Sequence, residues 1–423
     1  MPSPVDDMSD NVVSAARTFN VFAPEQDPHA LFGDLRKTCP VAWSDQAGGY
    51  SLATRSDDIF AILKDPVTFS SAYDWPKGHE TLGPRVPVNF DPPEHTAYRK
   101  AFLPLFSPAV VSGIEEAARR QAVELLRPIA AKDKCDFVAE FCKPFPSLVF
   151  VPFLGLSADE IDELLTLHHE IFILLHSGPS QDGDRERTVR LAEERLRVKV
   201  NESLNARAAM RHPPDDIFSS LLNARLPDGR PFSRDEMLST ISLFFGAGLG
   251  TIKNTLSMAM WFLGTHPDYR DQLVDDAALI PGAVEEFLRY FATVVIPRLV
   301  TRDVDLHDKT LKQGTIVLCP LPSAGRDPRT HDDPELIDFH RSPNRHYGFG
   351  AGPHRCLGSH LARMELRVAF EEIHRRMPDY RVDPNTPPDW TWGLLFGLGS
   401  LPMTVGSPLV VESGQPPSRH GTP

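Results

Sequence analysis

The chain has 423 residues, 41% of them hydrophobic, and its 44 basic and 57 acidic side chains give a formal net charge of −13. That is enough apolar material for one large core, and the acidic total excludes nucleic acid as a general partner, because a phosphate backbone calls for a basic face. Five cysteines at positions 39, 135, 142, 319 and 356 form an odd, widely spaced set, which points to reduced thiols in a cytoplasmic protein rather than to a disulfide framework.

Residues 1–20 read as a flexible N-terminal segment, without the basic stretch and apolar run of a signal peptide or membrane anchor. No Gly/Ser linker or sharp composition shift divides residues 21–406, which are expected to form a single domain. Residues 407–423 are poor in large apolar side chains and are expected to be a disordered tail.

Ser233 followed by Glu236 forms a capping box, and apolar residues then run from Met237 to Leu263 before Gly264-Thr265-His266-Pro267 stops the helix. Such a helix is about 45 Å long at 1.5 Å per residue. Lys253, Asn254 and Thr255 interrupt it and argue against a membrane span. Gly246, Gly248 and Gly250 at its middle each cost about 1 kcal/mol relative to alanine in a helix interior. Close packing accounts for one of them, such as Gly246; the set reads better as a locally opened helix with room for small ligands.

Pro281 suits the first turn of a further helix, where Glu286 and Arg289 stand three residues apart on one face. By itself that is an ordinary surface pair worth roughly a few tenths of a kcal/mol. The stretch from Pro297 to Leu306 alternates enough to be a strand.

The segment Phe349-Gly350-Ala351-Gly352-Pro353-His354-Arg355-Cys356-Leu357-Gly358 delivers one cysteine to the start of a periodic helix beginning at Ser359. Glycines let the backbone approach a flat cofactor closely, and a helix N-terminus favours thiolate over thiol. A phosphate cradle would need Gly-Lys-Ser/Thr or a complete G-x-G-x-x-G, and neither occurs. Zinc normally needs several ligands at short spacing, and only His346, His354 and His360 lie near Cys356. A buried structural cysteine is the plain alternative, against which the fully specified loop weighs.

The loop resembles the cytochrome P450 haem-binding pattern F-x-x-G-x-(R/H)-x-C-x-G at every defined position, and Ala247-Gly248-Leu249-Gly250-Thr251 is similar to that family's oxygen-binding stretch, A/G-G-x-D/E-T. The resemblance runs from about Phe22 to Val405. It implies a mainly α fold with small β-sheets, with haem b between the long central helix and the cysteine-loop helix and Cys356 as the axial ligand to iron. Such a thiolate favours cleavage of the O–O bond. Cofactor contacts would come from Phe349, Gly350, His354 and Gly358 of the loop and from Ala247 and Gly248 of the long helix. The haem propionates would meet His95, Arg99, Arg298 and His346. Glu286 and Arg289 would lock to Arg341 in a structural network. Thr251 matches the alcohol that helps to protonate activated oxygen, while Gly250 occupies the place of the family's acid. That departure removes a step of general acid catalysis typically worth roughly 10²–10⁴-fold.

Phe69-Ser70-Ser71, Asp91-Pro92-Pro93-Glu94 and the cysteine segment are most similar to the soluble bacterial branch that includes camphor monooxygenase. Substrate-pocket positions of that branch match Tyr73, Trp75, Val88, Leu243, Gly246, Val294, Ile296, Leu394 and Leu395. Their apolar character implies a compact hydrophobic, terpenoid-like substrate, although each aliphatic residue taken alone is equally a core residue. The resemblance implies a monooxygenase that hydroxylates or epoxidises this substrate with O2 and two electrons from a [2Fe-2S] ferredoxin and its reductase. Arg99, Lys100, Arg119, Arg120, Arg345, Arg355 and Arg363 would supply the basic docking face. Two alternatives stand beside it. Gly250 suits a peroxygenase or a coupling or rearrangement enzyme, and a haem sensor or carrier without turnover would have no use for Thr251.

Overall fold

The computed structural model describes residues 4–73, 75, 84–156, 160–177 and 183–406. The central helix, Arg234–Thr265, begins with the expected capping box: Ser233 Oγ accepts the Glu236 amide at 3.1 Å and Glu236 Oε2 accepts the Ser233 amide at 2.6 Å. Two otherwise orphaned amides are thereby satisfied. The helix stops where Pro267 opens the next one. It is buried along most of its length, against the helix Pro144–Leu154 on one side and the strand Gly397–Ser400 on another.

The helix that follows the cysteine loop, Ser359–Arg376, packs along the helix Pro108–Ala130. Arg119 joins them by ion pairs to Glu371 at 2.6 Å and to the fully buried Glu372 at 2.7 Å, and Arg367 reaches Glu115 at 2.6 Å. A buried carboxylate such as Glu372 is tolerable because Arg119 compensates it.

The largest sheet has the strand order Val41–Ser44, Tyr50–Ala53, Ile316–Pro320, Val295–Val300, Phe69–Ser70. All pairs are antiparallel except the second with the third. The predicted strand from Pro297 to Leu306 is in fact two, Val295–Val300 and Val304–Leu306. It breaks because Thr301 turns back to the earlier chain, its amide on Thr68 O at 2.9 Å and its hydroxyl on Val67 O at 2.6 Å.

The N-terminal segment expected to be flexible contains the helix Pro4–Thr18. Ala16 and Phe19 are buried against a cluster that includes Phe32 and Tyr50, and Tyr50 Oη donates to Phe19 O at 2.5 Å. Val12, Ala16 and Phe19 recur at helical spacing, but among so many polar neighbours the stripe is thin. The tail expected to be disordered, from residue 407, lies outside the described residues. No described helix is long and apolar enough to cross a membrane, and all five cysteines are free.

Candidate active site between the central helix and the cysteine loop

Gly350 and Gly352 have φ of 69° and 67°, the left-handed region that glycine enters without penalty. A Cβ on Gly352 would stand 2.2 Å from Leu63 O, so no other residue fits there. The loop closes through Gly350 N to Tyr347 O at 2.7 Å and Cys356 N to Phe349 O at 2.8 Å. Cys356 is thereby held three residues ahead of its helix. Burial pushes the Cys356 thiol up, against the Gly358 amide and Arg99, Arg355 and Arg363, which favour the thiolate. A bound cation would tip that balance toward the thiolate, as a metal ligand requires. Among the described residues no three His, Cys, Asp or Glu side chains gather as a metal site, so a multi-ligand zinc centre is not formed.

Beside the loop, four side chains from three segments converge. The His95 and His354 rings lie 3.9 Å apart, and His354 Nε2 is 3.0 Å from Ser71 Oγ. Burial, reinforced by Arg298, His95 and Arg99, holds His354 down to about 2. His95 is lowered to about 4 by burial and then by Arg99 and Arg298, against Asp91. Both imidazoles are thus neutral. Arg99 Nη2 donates to Arg355 O at 2.7 Å, and the buried Arg298 donates from Nη1 to its neighbour's carbonyl, Pro297 O, at 2.8 Å. Nearby Asp91 is held by the Ser70 hydroxyl and the Ser71 amide. Among the described residues neither arginine has a carboxylate within ion-pair distance, and His95 Nδ1 is buried without a partner. A buried cation beside unfilled donors calls for an anion.

His346 does not join them. Its Nε2 lies 3.1 Å from Glu285 Oε2 and its Nδ1 accepts the Gly348 amide at 3.1 Å. Glu285 also takes two hydrogen bonds from Arg363, at 2.6 and 2.8 Å. The expected propionate role is contradicted because Glu285, on the helix Ile280–Tyr290, captures the imidazole.

Between residues 243 and 252 of the central helix, Leu243, Ala247, Gly248, Gly250 and Thr251 are not fully buried, while Phe244, Phe245, Gly246, Leu249 and Ile252 are buried. Of these, Leu243, Ala247, Gly250 and Thr251 follow i, i+4, i+7, i+8, one face. The expected opening of the helix does not occur: it is continuous through all three glycines, and Thr251 Oγ1 donates to Ala247 O at 2.9 Å. Gly248 is explained by packing, since a Cβ there would lie 2.8 Å from Phe150 Cε1. Gly246 is buried off the open face, so it does not widen a pocket as expected.

Gly250 faces Leu395, whose Cδ1 would be 3.5 Å from a Cβ at 250. Leu395 bridges to Val294, and Ile296 reaches within 3.5 Å of a Cβ at Gly350. Val294, Ile296 and Leu395 thus link the open helix face to the cysteine loop. Leu394 and Tyr73 pack against the N-terminal cluster, with Tyr73 also beside Arg298 and Arg85. Val88 is half-buried. Trp75 is a correction: it is buried, with Nε1 donating to Ala47 O at 3.1 Å and its ring against Phe22 and Tyr50. It is core, not the substrate-pocket position the resemblance implies.

Glu286 and Arg289 are fully buried and bidentate at 2.7 and 2.8 Å, and Arg341 Nε reaches Glu286 Oε1 at 3.0 Å. The structure adds Asn344 Nδ2 and the Asp338 amide, both 2.9 Å from Glu286. Sequence reasoning missed these, together with Glu285 and Ser71; the Glu285-Glu286 doublet was the available signal, since two adjacent acids on one helix cannot face the same partner. It missed Glu193 as well, raised to about 7 by burial, against the pull of Arg85. The basic docking face shrinks, because Arg119 and Arg363 are engaged in ion pairs and Arg120 pairs with Glu116. Arg99, Lys100, Arg345 and Arg355 are left of the set.

A family model described as Cytochrome P450 matches residues 28–388. The chain belongs to the cytochrome P450 family. P450s use haem b with a cysteine thiolate as axial ligand and act as monooxygenases. This P450 is 32% identical over 397 residues to a probable cytochrome P450 127A1 of Sinorhizobium fredii, covering 90% of this chain and 91% of the relative. It is 29% identical to linalool 8-monooxygenase of Pseudomonas putida, over 85% of this chain and 91% of that one. Among solved structures it is similar to cytochrome P450 PksS, of the Bacillus subtilis 168 bacillaene polyketide synthase, with a TM-score of 0.83 and 26% identity, covering 92% and 100%. The group of His95, Arg99, Arg298 and His354 beside Cys356, with His95 and Arg298 buried and neither arginine ion-paired among the described residues, fits a flat cofactor with two carboxylates.

Proposed function

We propose that this P450 hydroxylates or epoxidises a small hydrophobic, terpenoid-like substrate, with Cys356 as the axial thiolate and Arg99, Arg298, His95 and His354 as the propionate partners. The observation that carries this reading is the pair of Arg99 and the buried Arg298, neither ion-paired among the described residues, with His95 Nδ1 buried and unpartnered, beside the one cysteine of the loop. Haem, when bound, supplies the activation of dioxygen. Arg298 would orient the cofactor by charge, and the two neutral imidazoles would donate to it without adding repulsion. Leu243, Ala247, Val294, Ile296 and Leu395 would hold the substrate by shape and keep water away. Thr251 Oγ, which donates to Ala247 O of its own helix, keeps lone pairs that would accept a hydrogen bond from a water and hold that water in place. The likeness to a linalool monooxygenase supports a terpenoid. Electrons would arrive from a ferredoxin docked at Lys100, Arg345 and Arg355.

The test has two parts. Reduced protein under CO should show the red-shifted Soret band of a thiolate complex, lost in Cys356→His. Titration with monoterpenes should move the ferric protein from low to high spin and, with ferredoxin, reductase and NADH, yield oxygenated product. A thiolate band without any terpene spin shift or product would overturn the substrate class.

One observation favours a second reading. Gly250 faces the apolar Leu395, so neither the acid nor a neighbour at this contact supplies a proton. Peroxide-driven oxygenation, or a coupling or rearrangement, fits that better. If Gly250→Asp raises NADH-driven coupling and leaves peroxide-driven turnover unchanged, the missing acid limits oxygen activation and the second reading holds; unchanged coupling counts against any special role for Gly250 and leaves the first.

A further inference from the structure

A cavity of about 610 Å³ lies apart from the cysteine loop, between residues 24–29, the C-terminal end of the central helix and residues 390–392. Its wall is aromatic. Trp261 and Trp390 meet edge to face at 5.1 Å, and Trp390 stacks on Trp392 at 5.7 Å and 9°. These three indoles and the phenol rings of Tyr269 and Tyr290 are half-buried, so part of their ring surface is left uncovered. Such surface can pack against a flat apolar ligand.

The inner end is cationic. Arg326 is 8% exposed, lies 3.7 Å over the Tyr290 ring and uses Nε on Tyr290 O at 3.1 Å. Its nearest carboxylate, Glu335, is 3.6 Å away and sits at the mouth with a 61% exposed side chain. His29 Nδ1 is buried without a partner. Burial, with Arg326 and Arg36 beside it, keeps the His29 ring neutral. Asp27 does not complete the set, because its Oδ1 caps the next helix by accepting the His29 amide at 2.9 Å. The cavity thus combines flat apolar walls, a guanidinium with unused donors and a free imidazole nitrogen.

We propose that this cavity is a binding site for a flat aromatic molecule bearing one carboxylate, its ring against the aromatic wall of Trp261, Trp390 and Trp392 and its carboxylate on Arg326 and His29. Charge-assisted hydrogen bonds from the buried guanidinium supply the polar part of the recognition, and ring contacts the rest. A cationic ligand would instead sit at the acidic mouth, over the rings and against Glu335.

The experiment uses the haem-loaded protein with its iron site saturated by an azole and 2-naphthoate as the probe, following tryptophan fluorescence and the Soret band together. Saturable quenching is expected with the Soret band unmoved. His29→Leu and Arg326→Leu should each weaken binding by roughly tenfold, the worth of one charge-assisted contact. Should Arg326→Leu fail to fold, His29→Leu and Trp390→Leu carry the test. Quenching that disappears when the azole is present, or methyl 2-naphthoate or a naphthyl trimethylammonium binding as tightly as the acid, overturns the proposal.

Discussion

Placing alanine at Gly248 and, separately, at Gly250 isolates what the middle of the central helix is built for. Both substitutions recover the same helix propensity, about 1 kcal/mol. At 250 the new methyl would meet only Leu395 Cδ1 at 3.5 Å, an ordinary contact, so Gly250→Ala should stabilise by roughly 0.5–1 kcal/mol. At 248 the methyl would fall 2.8–2.9 Å from three atoms of the Phe150 ring, and overpacking of this kind costs about 1–3 kcal/mol. Propensity cancels between the two variants, so Gly248→Ala should be less stable than Gly250→Ala by about that 1–3 kcal/mol. Denaturant titrations of haem-loaded protein, followed by fluorescence and by the Soret band, measure the gap. Adding Phe150→Leu should relieve the clash, so the double variant should lose less than the sum of its parts. Equal stabilities at 248 and 250, or strict additivity with Phe150→Leu, would refute the packing explanation of Gly248.

Glu286→Gln leaves Arg289 buried without its compensating charge and should cost about 3–5 kcal/mol, seen as low haem content and a lowered denaturation midpoint. Arg298→Leu should speed haem transfer to apomyoglobin while leaving the CO-bound thiolate band of the retained fraction intact; an unchanged transfer rate would remove Arg298 from the propionate set. Burial pushes the Glu285 carboxyl up, but Arg363 and His346 overcome it and hold it at about 2. A folded value below the ordinary carboxylate value of about 4.3 means that the associated stability is present above pH ~4.3 and lost as the pH falls toward 2. Glu285→Gln should flatten that part of the stability profile, and an acid limb identical to that of the parent protein would count against the Glu285 pairs.

The capped central helix, the cysteine loop and the Glu286-Arg289-Arg341 network were legible because each rests on local chemistry: a capping box, glycines at positive φ, charges one turn apart. His346 was misplaced because the deciding partner, Glu285, is 61 residues away in sequence and differs from Glu286 only in the face it takes. Trp75 was misread for a related reason. Its indole N–H finds Ala47 O, a backbone acceptor that carries no residue-specific signal. The glycines of the central helix suggested an opening, yet the pull on Gly248 is a ring from another helix, and only tertiary packing reveals that. The N-terminal helix was hidden by its polar composition, although Ala16 and Phe19 have much of their environment supplied by distant segments.

The contact between Gly250 and Leu395 joins two parts of very different freedom. Residue 250 is fixed in a buried helix, whereas residue 395 sits in the short bridge to Val294, whose backbone is pinned on both sides by Val295 N to Leu394 O at 2.9 Å and Phe396 N to Thr293 O at 2.7 Å. Side-chain size at 395 can therefore change without moving the frame that carries it. On the function proposed above, the shape of the substrate site would be adjustable from the periphery, and a change of preferred substrate would arise at 395 while the helix, the thiol and their shared geometry stay untouched.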